Sequence, residues 1–242
     1  MTSTTQRSTP NPWSDFSPSE RNVLEVDKKA VEAHNDRRTA DSATRFELNL
    51  MPEPYFGRPD APVVLLALNP GVHPCDHVVH RQPWFVARAA GSLTHSLAQH
   101  EPFLHLGADH ADTPGGRWWR RITGPLLADD LTIENIARGV LCLQLYPYHS
   151  KKFAGPARPL PSFIYTAALL NDAIDRCAMV VVMRSGRRWR EAVPRLNGYP
   201  HRICVANPLN PTLSPANLGD GFNIIRAALL QGSTGCSCKC YG

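Results

Sequence analysis

The chain has 242 residues, 43% of them hydrophobic, and a formal net charge of +5. That suffices for one folded unit with a sizeable core, and it argues against wholesale disorder. No apolar run approaches the ~20 residues needed to cross a bilayer, and the first residues hold no apolar signal segment. The expectation is a cytoplasmic monomer with no membrane partner.

Residues 1–16 are rich in Ser, Thr and Pro and read as a flexible tail. Ser17-Pro18-Ser19-Glu20 has the layout of a capping box, which predicts a helix over residues 18–38. Residues 46–60 read as extended and then turn-rich. The apolar run 63–68 stops abruptly at Asn69-Pro70-Gly71. Such a run, bounded by turn residues, reads as a central parallel strand. In open α/β sheets ligands sit at the carboxyl ends of the strands, so Asn69 is delivered to the place of chemistry. Helices are predicted over 84–99 and 118–127, with a polar, His-containing loop over 101–116 between them.

The second strand, 140–145, ends in Tyr146-Pro147-Tyr148-His149-Ser150-Lys151-Lys152, dense in functional side chains. A helix over 162–176 leads to a third strand, 178–183, and then to a short basic helix, 187–193. A fourth strand, 203–206, precedes Asn207-Pro208-Leu209-Asn210-Pro211-Thr212-Leu213-Ser214. The last helix covers 221–230. Four short apolar strands separated by helices predict an α/β fold, a three-layer α/β/α domain over residues 17–230 with a central four-stranded parallel sheet. Residues 231–242 form a Cys-rich tail.

Cys142, Cys177 and Cys204 lie in or beside apolar runs and read as buried thiols. Cys236, Cys238 and Cys240 are spaced more tightly than common metal ligands. His73-x-Cys75-x-His77-x2-His80 offers zinc-type ligands, yet its spacing matches no common structural site. No metal and no cofactor are expected. No P-loop or G-x-G-x-x-G follows a strand, and no G-x-S-x-G is present, which disfavours ATPase, dinucleotide and esterase readings.

The ordered set of these pieces resembles the uracil-DNA glycosylase superfamily, in its single-strand-selective and mismatch-specific branches. Ala67-Leu68-Asn69-Pro70-Gly71 is similar to the G-x-N-P-G loop, with Ala in place of the first Gly. Gly116-Arg117-Trp118-Trp119 looks like the aromatic helix start, and Met183-Arg184-Ser185-Gly186-Arg187 like the segment after the third strand. Asn207-Pro208-Leu209 stands where the family carries H-P-S or N-P-S; Asn210-Pro211-Thr212-Leu213-Ser214 is an alternative register. The match spans residues 53–230. It departs in Ala67 and in the missing His of the last motif.

The resemblance implies hydrolysis of the N-glycosidic bond of uracil or another damaged base in DNA. Asn69, in its turn with Pro70 and Gly71, would position water rather than abstract a proton, because an amide is no strong base. Asn207 would donate to the leaving base. Leu209, Leu213 or the Ser214-Pro215 turn would form the DNA-facing wedge, with Leu213 the choice and Asn210 and Ser214 counted with it as substrate-binding residues. His149 would replace the missing His or contact phosphate. Trp118, Trp119, Tyr146 and Tyr148 are candidates to stack on a base; Lys151, Lys152, Arg184 and Arg187 would neutralise phosphates. Two rival readings stand beside this one: a non-catalytic nucleic-acid-binding module on the same fold, and a hydrolase of nucleotides or other small molecules.

Overall fold

A computed structural model of the chain describes residues 9–97, 101–156 and 158–232. The fold is mixed α/β. Helix α1 spans Glu25–Asp36 and strand β1 Tyr55–Gly57. Strand β2 is Val63–Ala67, followed by the short α2, Asp76–Val79, and by α3, Pro83–Leu93. Helices α4, Pro114–Thr123, and α5, Ile133–Gly139, lead to β3, Val140–Gln144. Then come α6, Phe163–Asp175; β4, Met179–Val182; α7, Gly186–Ala192; and β5, Arg202–Cys204. Helices α8, Pro215–Leu218, and α9, Gly221–Gly232, close the described chain.

The sheet order is β1-β3-β2-β4-β5. The four apolar runs pair in parallel, as their composition predicts, with β2 between β3 and β4. Every residue of β2 and β3 is buried. Continuous apolar strands of this kind are stable only when both faces are covered. The sheet has five strands rather than four, because Tyr55–Gly57 adds an antiparallel edge against β3. Three residues are too few to show a period, so tertiary pairing decides this strand. It also needs its glycine: Gly57 sits at φ +104, and a Cβ there would lie 2.1 Å from the Val140 carbonyl oxygen.

Three local expectations are corrected. The first concerns the tail. Trp13 is fully buried, and the Asn11 amide donates to the Leu93 carbonyl at 2.8 Å, so residues 11–16 are packed against the domain. Secondly, α1 starts at Glu25 rather than at residue 18. The Asn22 N–H pairs with the Leu48 carbonyl at 2.6 Å, and the Asn22 side-chain oxygen accepts from the Ser19 N–H at 2.9 Å. Those bonds compete with a helical turn. Thirdly, Cys204 is exposed on the outer strand, whereas Cys142 is buried in β3. Residues 98 and 99, at the predicted end of the second helix, residue 100, and Cys236, Cys238 and Cys240 lie outside the described residues.

Candidate active site

Three strand ends meet around one cavity of about 370 Å³. From β2 come Ala67, Leu68 and then Asn69-Pro70-Gly71; from β3 comes Gln144; from beyond β4 come Met183 and Arg184. In the sheet order the chain runs from β2 to β3 on one side and returns past β2 to β4 on the other. The ends of β2 and β4 therefore flank a topological switch point, where diverging connections leave a crevice. The volume lies within the ~300–1,000 Å³ of small-molecule sites.

Asn69 is held rigidly. Its Nδ2 donates to the Pro70 carbonyl at 2.9 Å and to Ser150 Oγ at 2.9 Å. With the amide nitrogen committed, Oδ1 is the atom left to accept from a water or a ligand. The segment after β3 braces the turn: the Tyr146 N–H donates to the Leu68 carbonyl at 2.9 Å and the Ser150 N–H to the Pro70 carbonyl at 3.2 Å. Phe85, Trp118 and Trp119 form aromatic walls, with Trp119 buried and Trp118 half-buried. Pro114 and Gly115, in the first turn of α4, also line the cavity. Gly115 permits the approach: a Cβ there would stand 2.5 Å from His105 Nδ1.

The inner wall is charged. Glu53, His80, His105 and His149 all line the cavity and all are at least nine-tenths buried. His105 Nε2 lies 3.1 Å from Glu53 Oε1 and His149 Nε2 lies 3.7 Å from it. Burial works to raise the Glu53 pKa, but the electrostatic pull of the neighbouring imidazoles and the His105 hydrogen bond outweigh it and hold the carboxyl down to about 2. Burial, reinforced by His149, pushes His80 down to about 3, so it stays neutral. Its Nδ1 accepts the Met51 N–H at 3.0 Å.

Ligand-type atoms of Glu53, His80 and His149 lie within 4.8 Å of one another. They make a poor metal cage. With Nδ1 of His80 accepting a backbone proton, Nε2 carries the ring's own proton and would ligate only as an imidazolate. The His73 loop does not gather its ligands either. His73 Nδ1 accepts the Cys75 N–H, and His77 Nδ1 meets Asn49 Nδ2 at 3.0 Å.

Several expected site residues lie elsewhere. Asn207 is exposed, does not line the cavity, and caps its own turn: Oδ1 accepts the N–H groups of Leu209 at 3.1 Å and Asn210 at 3.3 Å. Leu213 is fully buried and cannot be a wedge, whereas Leu209 in the same loop is 90% exposed. The loop docks on α4: the Leu213 N–H donates to the Ile122 carbonyl at 2.8 Å, and Arg121 donates to Asn210 Oδ1 at 3.1 Å. Ser214 is half-buried, with its Oγ 3.3 Å from that of Thr212.

Tyr146 and Tyr148 are core residues rather than stacking platforms. The Tyr146 hydroxyl donates to the Pro156 carbonyl at 2.7 Å, and the Tyr148 hydroxyl donates to Asp27 Oδ2 at 2.9 Å. His149 is buried, which rules out the phosphate contact. Among the expected cations, Arg184 lines the cavity and donates to the Pro208 carbonyl at 3.0 Å, tying the pocket to the Leu209 loop. Arg187 pairs with Glu191 at 2.9 Å. Lys151 and Lys152 are exposed and do not line the cavity; Lys151 lies 3.8 Å from Glu47. Arg117 joins Arg184 at the cavity instead.

Sequence reading missed Glu53, Phe85, His105 and Gln144. Gln144 alone carried a usable signal: it is the one polar residue in the run 140–145 and stands in register with Ala67. No family model, no curated protein and no solved structure matches this chain, so its residues alone carry the functional argument.

Proposed function

We propose that this protein is a DNA glycosylase that hydrolyses the N-glycosidic bond of uracil or another damaged base, drawn into the cavity from DNA. The observation that carries the reading is Asn69, which stands at a strand end in a cavity of about 370 Å³ with its amide nitrogen tied down. A fixed amide oxygen can hold a water for attack on a sugar carbon whose bond to the base is already breaking. Trp118, Trp119 and Phe85 supply flat apolar walls for an unstacked base. Arg117 and Arg184 supply positive charge at the cavity. Exposed Leu209 takes the wedge role in place of Leu213. Asn207 keeps only the role of shaping that loop. A three-layer arrangement, a monomeric state and a cytoplasmic location belong to this reading too. Among the described residues no helix is long and apolar enough to cross a membrane.

The test is base release from end-labelled oligonucleotides carrying uracil, hypoxanthine or a thymine mismatch, in single and double strands, with wild type and Asn69→Ala side by side. Release by wild type alone supports the assignment. Release by both keeps the activity and removes Asn69 from it. A hydrolase of free nucleotides is the second reading. It is favoured by one observation: the cavity, about 370 Å³, lies in the size range of small-molecule sites. Contacts to several phosphates make DNA affinity fall steeply with salt, and a flat salt dependence supports the second reading.

A further inference from the structure

His149 stands among hydrogen-bond acceptors. Its Nδ1 lies 2.6 Å from the Gly71 carbonyl oxygen and its Nε2 lies 3.1 Å from the Met51 carbonyl oxygen. A carbonyl oxygen only accepts, and a neutral imidazole has one N–H. With one proton, one of the two contacts would set a lone pair against a carbonyl oxygen. Both contacts are attractive only when each nitrogen carries a proton. The resulting charge is buried and needs a counter-ion, and Glu53 Oε1 is 3.7 Å from Nε2. Met51 separates the two neighbouring rings by type: its N–H goes to His80, and its carbonyl faces His149.

The contact with Gly71 bears on the turn that carries Asn69. His149 holds Gly71, and the next residue, Ser150, holds both Pro70 and the Asn69 amide. Two consecutive residues after β3 thus grip three consecutive residues after β2. We propose that His149 is a positioning residue, a doubly protonated imidazole neutralised by Glu53, whose Nδ1–H holds the Gly71 carbonyl and thereby orients Asn69. Its consequence for activity rests on the glycosylase reading; its charge state does not. The groups facing His149 are Glu53 before β1, Asp76 in α2 and His80 after α2; His105 meets Glu53 as well, His77 lies in α2 and His73 on the loop before it.

The experiment is nitrogen NMR of the full chain, uniformly labelled so that its 10 histidines and the Asn69 amide are both read, near neutral pH. The expected spectrum holds one ring with both nitrogens protonated and slow to exchange. That signal disappears in His149→Gln and turns neutral in Glu53→Gln. In Glu53→Gln the Asn69 side-chain amide protons exchange at least ten-fold faster. The wild-type spectrum stands even if a variant does not fold: no slowly exchanging, doubly protonated ring overturns the proposal. A stoichiometric bound metal lost in His149→Gln overturns it too, because an ion then replaces the proton at Nε2. If the signature is present and no oligonucleotide is cleaved, the charge assignment stands and the glycosylase reading falls. If cleavage occurs and His149 is neutral, the reverse holds.

Discussion

His110 gives the sharpest test of the packing behind the site. It is fully buried, neither ring nitrogen has a hydrogen-bond partner, and it is boxed by Trp84, Phe85 and His105. Burial, with His105 and Arg88 adding to it, lowers its pKa from 6.5 to about 3. A base whose folded pKa is depressed contributes stability that is fully present above 6.5 and lost as the pH falls toward the folded value. Near pH 4.5 the unfolded chain has bound the proton and the folded chain has not. Across roughly 2 pH units, at ~1.4 kcal/mol per unit, that amounts to about 3 kcal/mol. His110→Leu removes it. Denaturant unfolding at neutral pH and near pH 4.5 should show wild type losing about 3 kcal/mol more than the variant over that interval. His80 and His95, lowered to about 3 and about 4, still titrate in both proteins, so the variant keeps part of its acid sensitivity. At neutral pH the variant should match wild type within about 1 kcal/mol, since relief of unsatisfied nitrogens offsets lost ring contacts. Equal losses in the two proteins would refute a buried, neutral His110.

Three other predictions follow from contacts at the site. Leu213→Ala should cost about 2–5 kcal/mol in denaturant unfolding, whereas Leu209→Ala should leave stability unchanged and weaken binding to duplex DNA in a titration. Gly115→Ala drives a methyl group onto a buried ring already bonded to Glu53, so it should destabilise by about 1–3 kcal/mol and lower base release; an unchanged melting temperature would count against the close approach of α4. Asn69→Ala should abolish base release while leaving oligonucleotide affinity within about two-fold, since phosphate contacts carry most of the affinity.

The strands that build the cavity were legible because their signal is local. An apolar run of four to six residues bounded by Asn-Pro or Gly needs no partner to be recognised, and it places Asn69 at the carboxyl end of a strand. The same logic misjudged Leu213. Leu209 and Leu213 sit four residues apart in the same kind of turn-rich sequence, and only docking of the Leu213 backbone on Ile122 decides which is buried. Asn207 is a similar case, since an Asn before Pro is equally suited to a ligand and to its own turn.

The charged wall of the cavity lay beyond the sequence for a different reason. Glu53, His80, His105 and His149 come from four separate segments, and no pattern of spacing links them. What each histidine does depends on whether its nitrogens meet donors or acceptors: His80 faces a backbone N–H, His149 two carbonyl oxygens, and His110 no hydrogen-bond partner. The sequence by itself determined the parallel strands and the polar turn at the end of β2, since both follow from local burial and backbone preference. Tertiary structure alone decided the antiparallel edge strand, the exposed leucine and the gathering of Glu53 with three histidines on the inner wall, because each depends on which distant groups are brought within reach.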